Sequence, residues 1–169
     1  MTAVLQYVAE YASPVGTLTL ASDGESVTGI WIAGQKYFAA TLGEHTSRET
    51  PPVLTLAAAW LDRYFRRGNP EMTLPLAPAG SAFRAAVWAV LLAVPYGGVT
   101  TYGEIARRLE ETAGMKTSAR AVGGAVGHNP VSIVIPCHRV VGADGGLTGY
   151  AGGLSVKRRL LELEGGGDR

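Results

Sequence analysis

The chain has one cysteine, Cys137, in the run Ile133-Val134-Ile135-Pro136-Cys137-His138-Arg139-Val140-Val141, with a base and a cation as its next two neighbours. A free thiol has a pKa of about 8.5 and is mostly protonated near neutrality, so it needs help to act as a nucleophile. Cationic neighbours favour the thiolate, and an imidazole can accept the proton. The competing reading is an inert buried cysteine, since free Cys is among the most buried residue types. These residues alone leave both readings open. The three β-branched residues before Pro136 predict a short buried strand, which Pro136 ends because it has no N–H to donate. Successive side chains diverge along a strand, so His138 need not touch the thiol directly and could act through a water.

The rest of the chain must position that turn. Residues 4–32 alternate apolar and polar positions and are broken by turn signals at Ser13-Pro14-Val15-Gly16 and Ser22-Asp23-Gly24-Glu25, which predicts a three-stranded antiparallel meander. Residues 33–52 read as irregular, and His45 in that stretch as an exposed residue. Leu54, Ala57, Ala58, Leu61, Tyr64 and Phe65 recur at helical spacing, so 53–66 is expected to be an amphipathic helix on the sheet, with Trp60 in the core. Residues 70–80, rich in proline, read as a linker.

The second half reads as mostly helical. Ser81 can cap a helix with the stripe Phe83, Val87, Val90, Leu91 and Val94. Thr101 and Glu104 form a capping-box pattern, and Ser118 caps a further helix from Ala119 to about Gly127. Two short helices joined by a turn resemble a helix-turn-helix. The second contains Gly123 and Gly124, each costing about 1 kcal/mol against alanine inside a helix. Either another helix packs closely on it, or the small residues let it enter a DNA minor groove with Arg120 reaching ahead. The last helix, about Ser155 to Glu164, is expected to turn Val156, Leu160, Leu161 and Leu163 inward. Lys157, Arg158 and Arg159 read as solvated charge or as phosphate contacts. Gly165-Gly166-Gly167 reads as a flexible tail.

The chain has 169 residues, 47% of them hydrophobic, which suits one domain or two small ones with a real core. No run of 18 apolar residues occurs, so no membrane span is expected. The start lacks a leader pattern, and a lone cysteine forms neither an internal disulfide nor a Cys-rich zinc site, so a cytoplasmic protein without metal or cofactor is expected. Residues 1–80 hold five Lys/Arg against seven Asp/Glu, and residues 81–169 hold ten against seven, so the second half is the better candidate for meeting phosphate.

Pro136-Cys137-His138-Arg139-Val140, with Gly127-His128-Asn129-Pro130 before it and Gly149-Tyr150-Ala151-Gly152-Gly153-Leu154 after it, resembles the active-site signature of the O6-alkylguanine-DNA alkyltransferases. Val94-Pro95-Tyr96-Gly97 and Tyr102-Gly103-Glu104-Ile105-Ala106 are similar to the same family. The resemblance implies an α+β protein. An N-terminal ribonuclease-H-like antiparallel sheet with a helix would span residues 1–78. A C-terminal helical domain with a (winged) helix-turn-helix would span residues 79–169. It implies irreversible transfer of an alkyl group from O6 of guanine, and also O4 of thymine, in double-stranded DNA to Cys137, after minor-groove binding and base flipping. The protein would be a monomer that can cluster on DNA.

By the same resemblance His138 takes the thiol proton through a water, Glu164 orients His138, and Asn129 braces the turn. Tyr102 assists the departing guanine and helps rotate the nucleotide. Arg120 fills the gap in the base stack, with Ala121 and Gly123 beside it on the DNA, while Val140, Tyr150, Ala151 and Gly152 line the guanine pocket. His128 is given no role and is expected to be structural. Glu110 to Lys116 read as an insertion relative to some relatives, and Ala151 stands where a serine is often found. A DNA-binding relative without transfer activity and an unrelated cysteine hydrolase are the alternative functions.

Overall fold

The computed structural model describes residues 5–165. Val4, expected in the first strand, and Gly166 and Gly167 of the expected tail lie outside the described residues. The chain divides into two compact units, Met1–Ala79 with Pro130–Ser132, and Gly80–Asn129 with Ile133–Arg169.

In the first unit the predicted meander is β1 (Gln6–Ser13), β2 (Gly16–Ser22) and β3 (Val27–Ile32), antiparallel throughout. Gly16 closes the first turn at φ 111°, a conformation that suits glycine. α1 (Pro52–Phe65) starts with a proline in its first turn, where no N–H is needed, and buries Val53, Leu54, Ala57, Trp60, Leu61 and Tyr64. Two stretches differ from the sequence expectation. Thr46–Ser47, in the region expected to be irregular, forms β4 and pairs parallel with β1, giving the order β3-β2-β1-β4. The proline-rich stretch is more than a linker: Val27 N–H donates to Pro75 O at 2.8 Å, and Ala77 N–H donates to Val27 O at 2.9 Å. Farther along β3, Ile30 N–H donates to Pro130 O and Ser132 N–H to Ile30 O, each at 2.9 Å. An edge strand leaves backbone donors and acceptors that need partners. Single bridges supply them here, and they are too short to show a periodic pattern.

In the second unit α2 (Ala82–Leu92) is capped by Ser81, whose hydroxyl accepts from Arg84 N–H. Its buried residues are Val87, Trp88 and Leu91, with the Trp88 indole donating to Ala125 O at 2.9 Å. Phe83, Val90 and Val94 of the expected stripe are half-buried, and Trp88 joins the core in their place. β5 (Thr100–Thr101) leads into α3 (Tyr102–Ala113), which opens with the predicted capping box and closes on Gly114 at φ 64°. α4 (Ala119–Gly127) is capped by Ser118 and packs on α3 to form the helix-turn-helix. Residues 110–116 form the last turn of α3 and the loop after it, and Tyr102 is the first residue of that helix. β6 (Val140–Val141) pairs parallel with β5, and α5 (Leu154–Leu163) ends the unit. No helix among the described residues is long and apolar enough to cross a membrane.

The predicted strand before Cys137 is absent. Ile133, Val134 and Ile135 are buried, but they form an irregular turn, with Ile133 in the left-handed region at φ 72°. That conformation breaks an extended strand and is uncommon for a β-branched residue. The turn finds hydrogen bonds by other means. Pro136, at φ −82° and ψ 65°, is the centre of an inverse γ-turn in which Cys137 N–H donates to Ile135 O at 2.8 Å. The Asn129 side chain donates to the same carbonyl at 2.8 Å.

Candidate active site

Cys137, His138 and Arg139 form one turn of 3-10 helix between Pro136 and β6. With about three residues per turn, their side chains fan out from the axis instead of alternating across a strand. All three are buried, Cys137 at 5% exposure and His138 at 0%. The turn packs against α2 and α5. The end of α5 brings in Glu164, and its Oε2 lies 2.6 Å from His138 Nε2. Facing a carboxylate, Nε2 carries the ring proton, which makes the buried Nδ1 the acceptor. Nδ1 has no protein partner among the described residues.

Burial dominates the titration of both groups. It pushes the Cys137 thiol up, against the pull of the Asn129 side chain, the charge of Lys157, the backbone amide and the Tyr150 hydroxyl. It pushes His138 down; hydrogen bonding and charge from Glu164 oppose this, while the charges of Arg139 and Lys157 reinforce it. His138 is therefore a neutral base at neutral pH. The Tyr150 hydroxyl is buried without a hydrogen bond in good geometry among the described residues, yet lies close enough to Cys137 for each to perturb the other's ionisation. Val140 is fully buried beside the turn, and Ala151 and Gly152 are half-buried ahead of α5.

Lys157 overturns the reading of 157–159 as a solvated cluster. Arg158 and Arg159 are exposed, but Lys157 is at 0% exposure, donating from Nζ to Val140 O and Thr148 O. Burial lowers its pKa to about 8, so it remains mostly charged at pH 7. The signal was present in the sequence. Lys157, Leu160, Leu161 and Glu164 follow the i, i+3, i+4, i+7 spacing of a buried face, and these four are buried.

Tyr102 stands at the start of α3, its hydroxyl 3.0 Å from Thr148 Oγ1 in the segment that leads to Tyr150. Arg120 and Ala121 are exposed in the first turn of α4, whose buried side is Val122, Ala125 and Val126. A Cβ on Gly123 would make only ordinary contact with the Tyr102 ring at 3.8 Å, and one on Gly124 would meet nothing within 4 Å. Packing within the unit thus requires neither glycine, and Gly124 belongs with Arg120 and Ala121 on the open side. His128 Nδ1 lies 2.7 Å from Gly124 O at the end of α4, and His45 is exposed. A cleft of about 360 Å³ beside α2 and α3, lined in part by Val94, Glu104 and Arg107, contains none of the buried cluster. Among the described residues no group of three or more His, Cys, Asp and Glu could hold a metal ion.

Family models match in two blocks. Residues 7–78 match the ribonuclease-like domain of 6-O-methylguanine DNA methyltransferase, and residues 82–166 match its DNA-binding domain. A methylated-DNA–protein-cysteine methyltransferase of Haemophilus influenzae is 46% identical over 160 residues, covering 94% of this chain and 86% of the relative. The Mycobacterium tuberculosis protein of that name is 43% identical over 152 residues, covering 90% and 88%. The crystal structure of Mycobacterium tuberculosis OGT in complex with DNA superposes with a TM-score of 0.80 at 42% identity, covering 95% of this chain and 92% of the other. An O6-methylguanine DNA methyltransferase of Methanococcus jannaschii gives a TM-score of 0.64 at 28% identity, covering 92% of each. The chain belongs to the 6-O-methylguanine DNA methyltransferase family.

Proposed function

We propose that the chain repairs DNA by moving an alkyl group from O6 of guanine onto Cys137 and keeping it there. It is a methylated-DNA–protein-cysteine methyltransferase that acts on double-stranded DNA. The observation that carries the assignment of roles is the pairing of His138 Nε2 with Glu164 Oε2 at 2.6 Å beside the buried thiol. This leaves Nδ1 to receive the Cys137 proton, through an ordered water. Sγ then attacks the alkyl carbon, the carbon–O6 bond breaks, and its electron pair returns to the purine, which is reprotonated. The product is a thioether, which has no good leaving group, so the protein acts once.

Asn129 holds the turn through Ile135 O and favours the thiolate. Tyr102, tied to Thr148, supplies a hydrogen bond to the departing guanine. Val140, Tyr150, Ala151 and Gly152 form the walls against which the purine rests. O6 is out of reach within the stack, so the nucleotide must swing out at a cost of a few kcal/mol. Arg120 offsets part of that loss by entering the stack from α4, while Ala121, Gly123 and Gly124 allow that helix into the minor groove, which is about 6 Å wide. The division of labour is a C-terminal catalytic and DNA-binding domain from residue 79 and an N-terminal domain up to residue 78. O4 of thymine, chemically similar to O6 of guanine, is a second substrate. The protein works in the cytoplasm as a monomer that can cluster on DNA.

Arg120→Ala tests the DNA part of this reading. Transfer from duplex O6-methylguanine is expected to slow far more than transfer from free O6-benzylguanine base, measured as single-turnover rates. Equal losses on the two substrates would remove Arg120 from its role.

A further inference from the structure

Arg139 has no part in the scheme so far, yet it is as tightly held as any side chain in the site. Its Nε donates to Glu164 Oε1 at 2.8 Å and its Nη2 to Glu164 Oε2 at 3.1 Å, so the guanidinium grips both carboxylate oxygens. Its Nη1 donates to Val94 O at 2.8 Å, and its Cζ lies 5.8 Å from the Tyr96 ring centroid. The turn after α2 completes the seat. Tyr96 hydroxyl donates to Leu163 O at 3.3 Å, and Gly97 N–H donates to Glu164 Oε1 at 3.4 Å. Gly97 sits at φ 79°, and a Cβ there would come within 3.2 Å of Glu164 O. Residues 94–97 and Arg139 thus fix the end of α5 so that Oε2 of Glu164 faces His138.

We propose that Arg139 is a positioning residue for transfer: by clamping both oxygens of Glu164 it aims Oε2 at His138 Nε2 and, together with burial, helps keep that ring neutral. Burial is the main reason the ring stays neutral, while the Glu164 carboxylate works against it. The Arg139 cation offsets part of the Glu164 charge, so the ring keeps one proton, on Nε2, and Nδ1 keeps its lone pair. The groups that bear on His138 are Glu164 and Lys157 from α5 and Arg139 from its own turn. Arg84, the one ionisable residue of α2, is not among them. A lysine in place of Arg139 would keep the charge and lose the two-point grip, because an ammonium has no planar fork.

This inference rests on Cys137 as acceptor and His138 as base, and the test separates the two. Transfer rates from free O6-benzylguanine base are measured across pH for the wild type, Arg139→Gln and Arg139→Lys, with circular dichroism as the check on folding. The acid limb of the wild-type profile belongs to the coupled thiol and imidazole. Removing the Arg139 cation raises the pKa of His138, and the limb is expected to move up by roughly one pH unit in Arg139→Gln. Arg139→Lys is expected to restore the limb but to remain slower by roughly tenfold or more, since orientation is lost. In the wild type, nitrogen-15 spectra of the His138 ring at pH 7 are expected to show a neutral ring with its proton on Nε2. An imidazolium in that spectrum overturns the inference, as does a folded Arg139→Gln with an unmoved limb or an Arg139→Lys of wild-type rate. If Arg139→Gln does not fold, the spectrum and Arg139→Lys decide the matter. A wild type that takes up no benzyl group would instead defeat the functional reading itself.

Discussion

A thiol surrounded by protein resists ionisation, and burial pushes Cys137 in that direction. Asn129, Lys157, the backbone amide and Tyr150 pull the other way, and Lys157 is the one whole positive charge among them. Lys157→Met keeps the buried stem and removes that charge. Thiolate absorbance in the ultraviolet is expected to appear about one pH unit higher in the variant. An unmoved titration would show that the lysine serves only the carbonyls of Val140 and Thr148. His138 bears on stability as well as on transfer. Its folded pKa is below the ordinary imidazole value, so the unfolded chain binds its proton first as pH falls. The stability contributed by the neutral ring is complete above about pH 6.5 and is lost as pH drops from there toward the folded value. Thermal melting from pH 7 to 5 is expected to fall more steeply in the wild type than in His138→Gln. Parallel slopes would mean that His138 is not held neutral.

At the scale of elements, α4 is a helix that gives up stability along its open side. Gly124→Ala adds a Cβ that meets nothing within 4 Å. The helix should gain about 1 kcal/mol, and the melting temperature should rise by about 2–4 °C. If that side enters a DNA groove, the variant binds duplex more weakly while it melts higher. A higher melting temperature with unchanged DNA affinity would contradict the groove reading. The helix starts of this half were legible in the sequence because they are local: Ser81, Thr101 with Glu104, and Ser118 each cap the helix that follows. The end of α5 was legible only in part. No local pattern ties Glu164 to His138, and Lys157 is hidden in a basic run although it lies on the buried stripe. Before Cys137 three β-branched residues signal a strand that the fold does not form. The left-handed Ile133 and the bond from Asn129 to Ile135 O depend on residues that no local pattern connects. The backbone bridges of residues 75–77 and 130–132 to β3 were illegible for the same reason.

The molecule as a whole is a reagent more than a catalyst. The net charge is only +1, so binding to DNA relies on where the cations sit and not on their sum. Arg120, Arg158 and Arg159 are all exposed in the second unit, whereas Arg139 and Lys157 are spent inside it. The buried charges lie around Cys137 and His138, and the exposed ones are free to meet solvent or phosphate. Because a thioether gives no route back, each molecule handles one lesion. Intact-protein and peptide mass spectrometry after incubation with excess duplex containing O6-methylguanine reads this stoichiometry. A mass gain of one CH2 per protein is expected, located on Cys137 and absent in Cys137→Ser. A protein that leaves the lesion untouched while its thiol stays free, or that continues past one methyl per molecule, would contradict it.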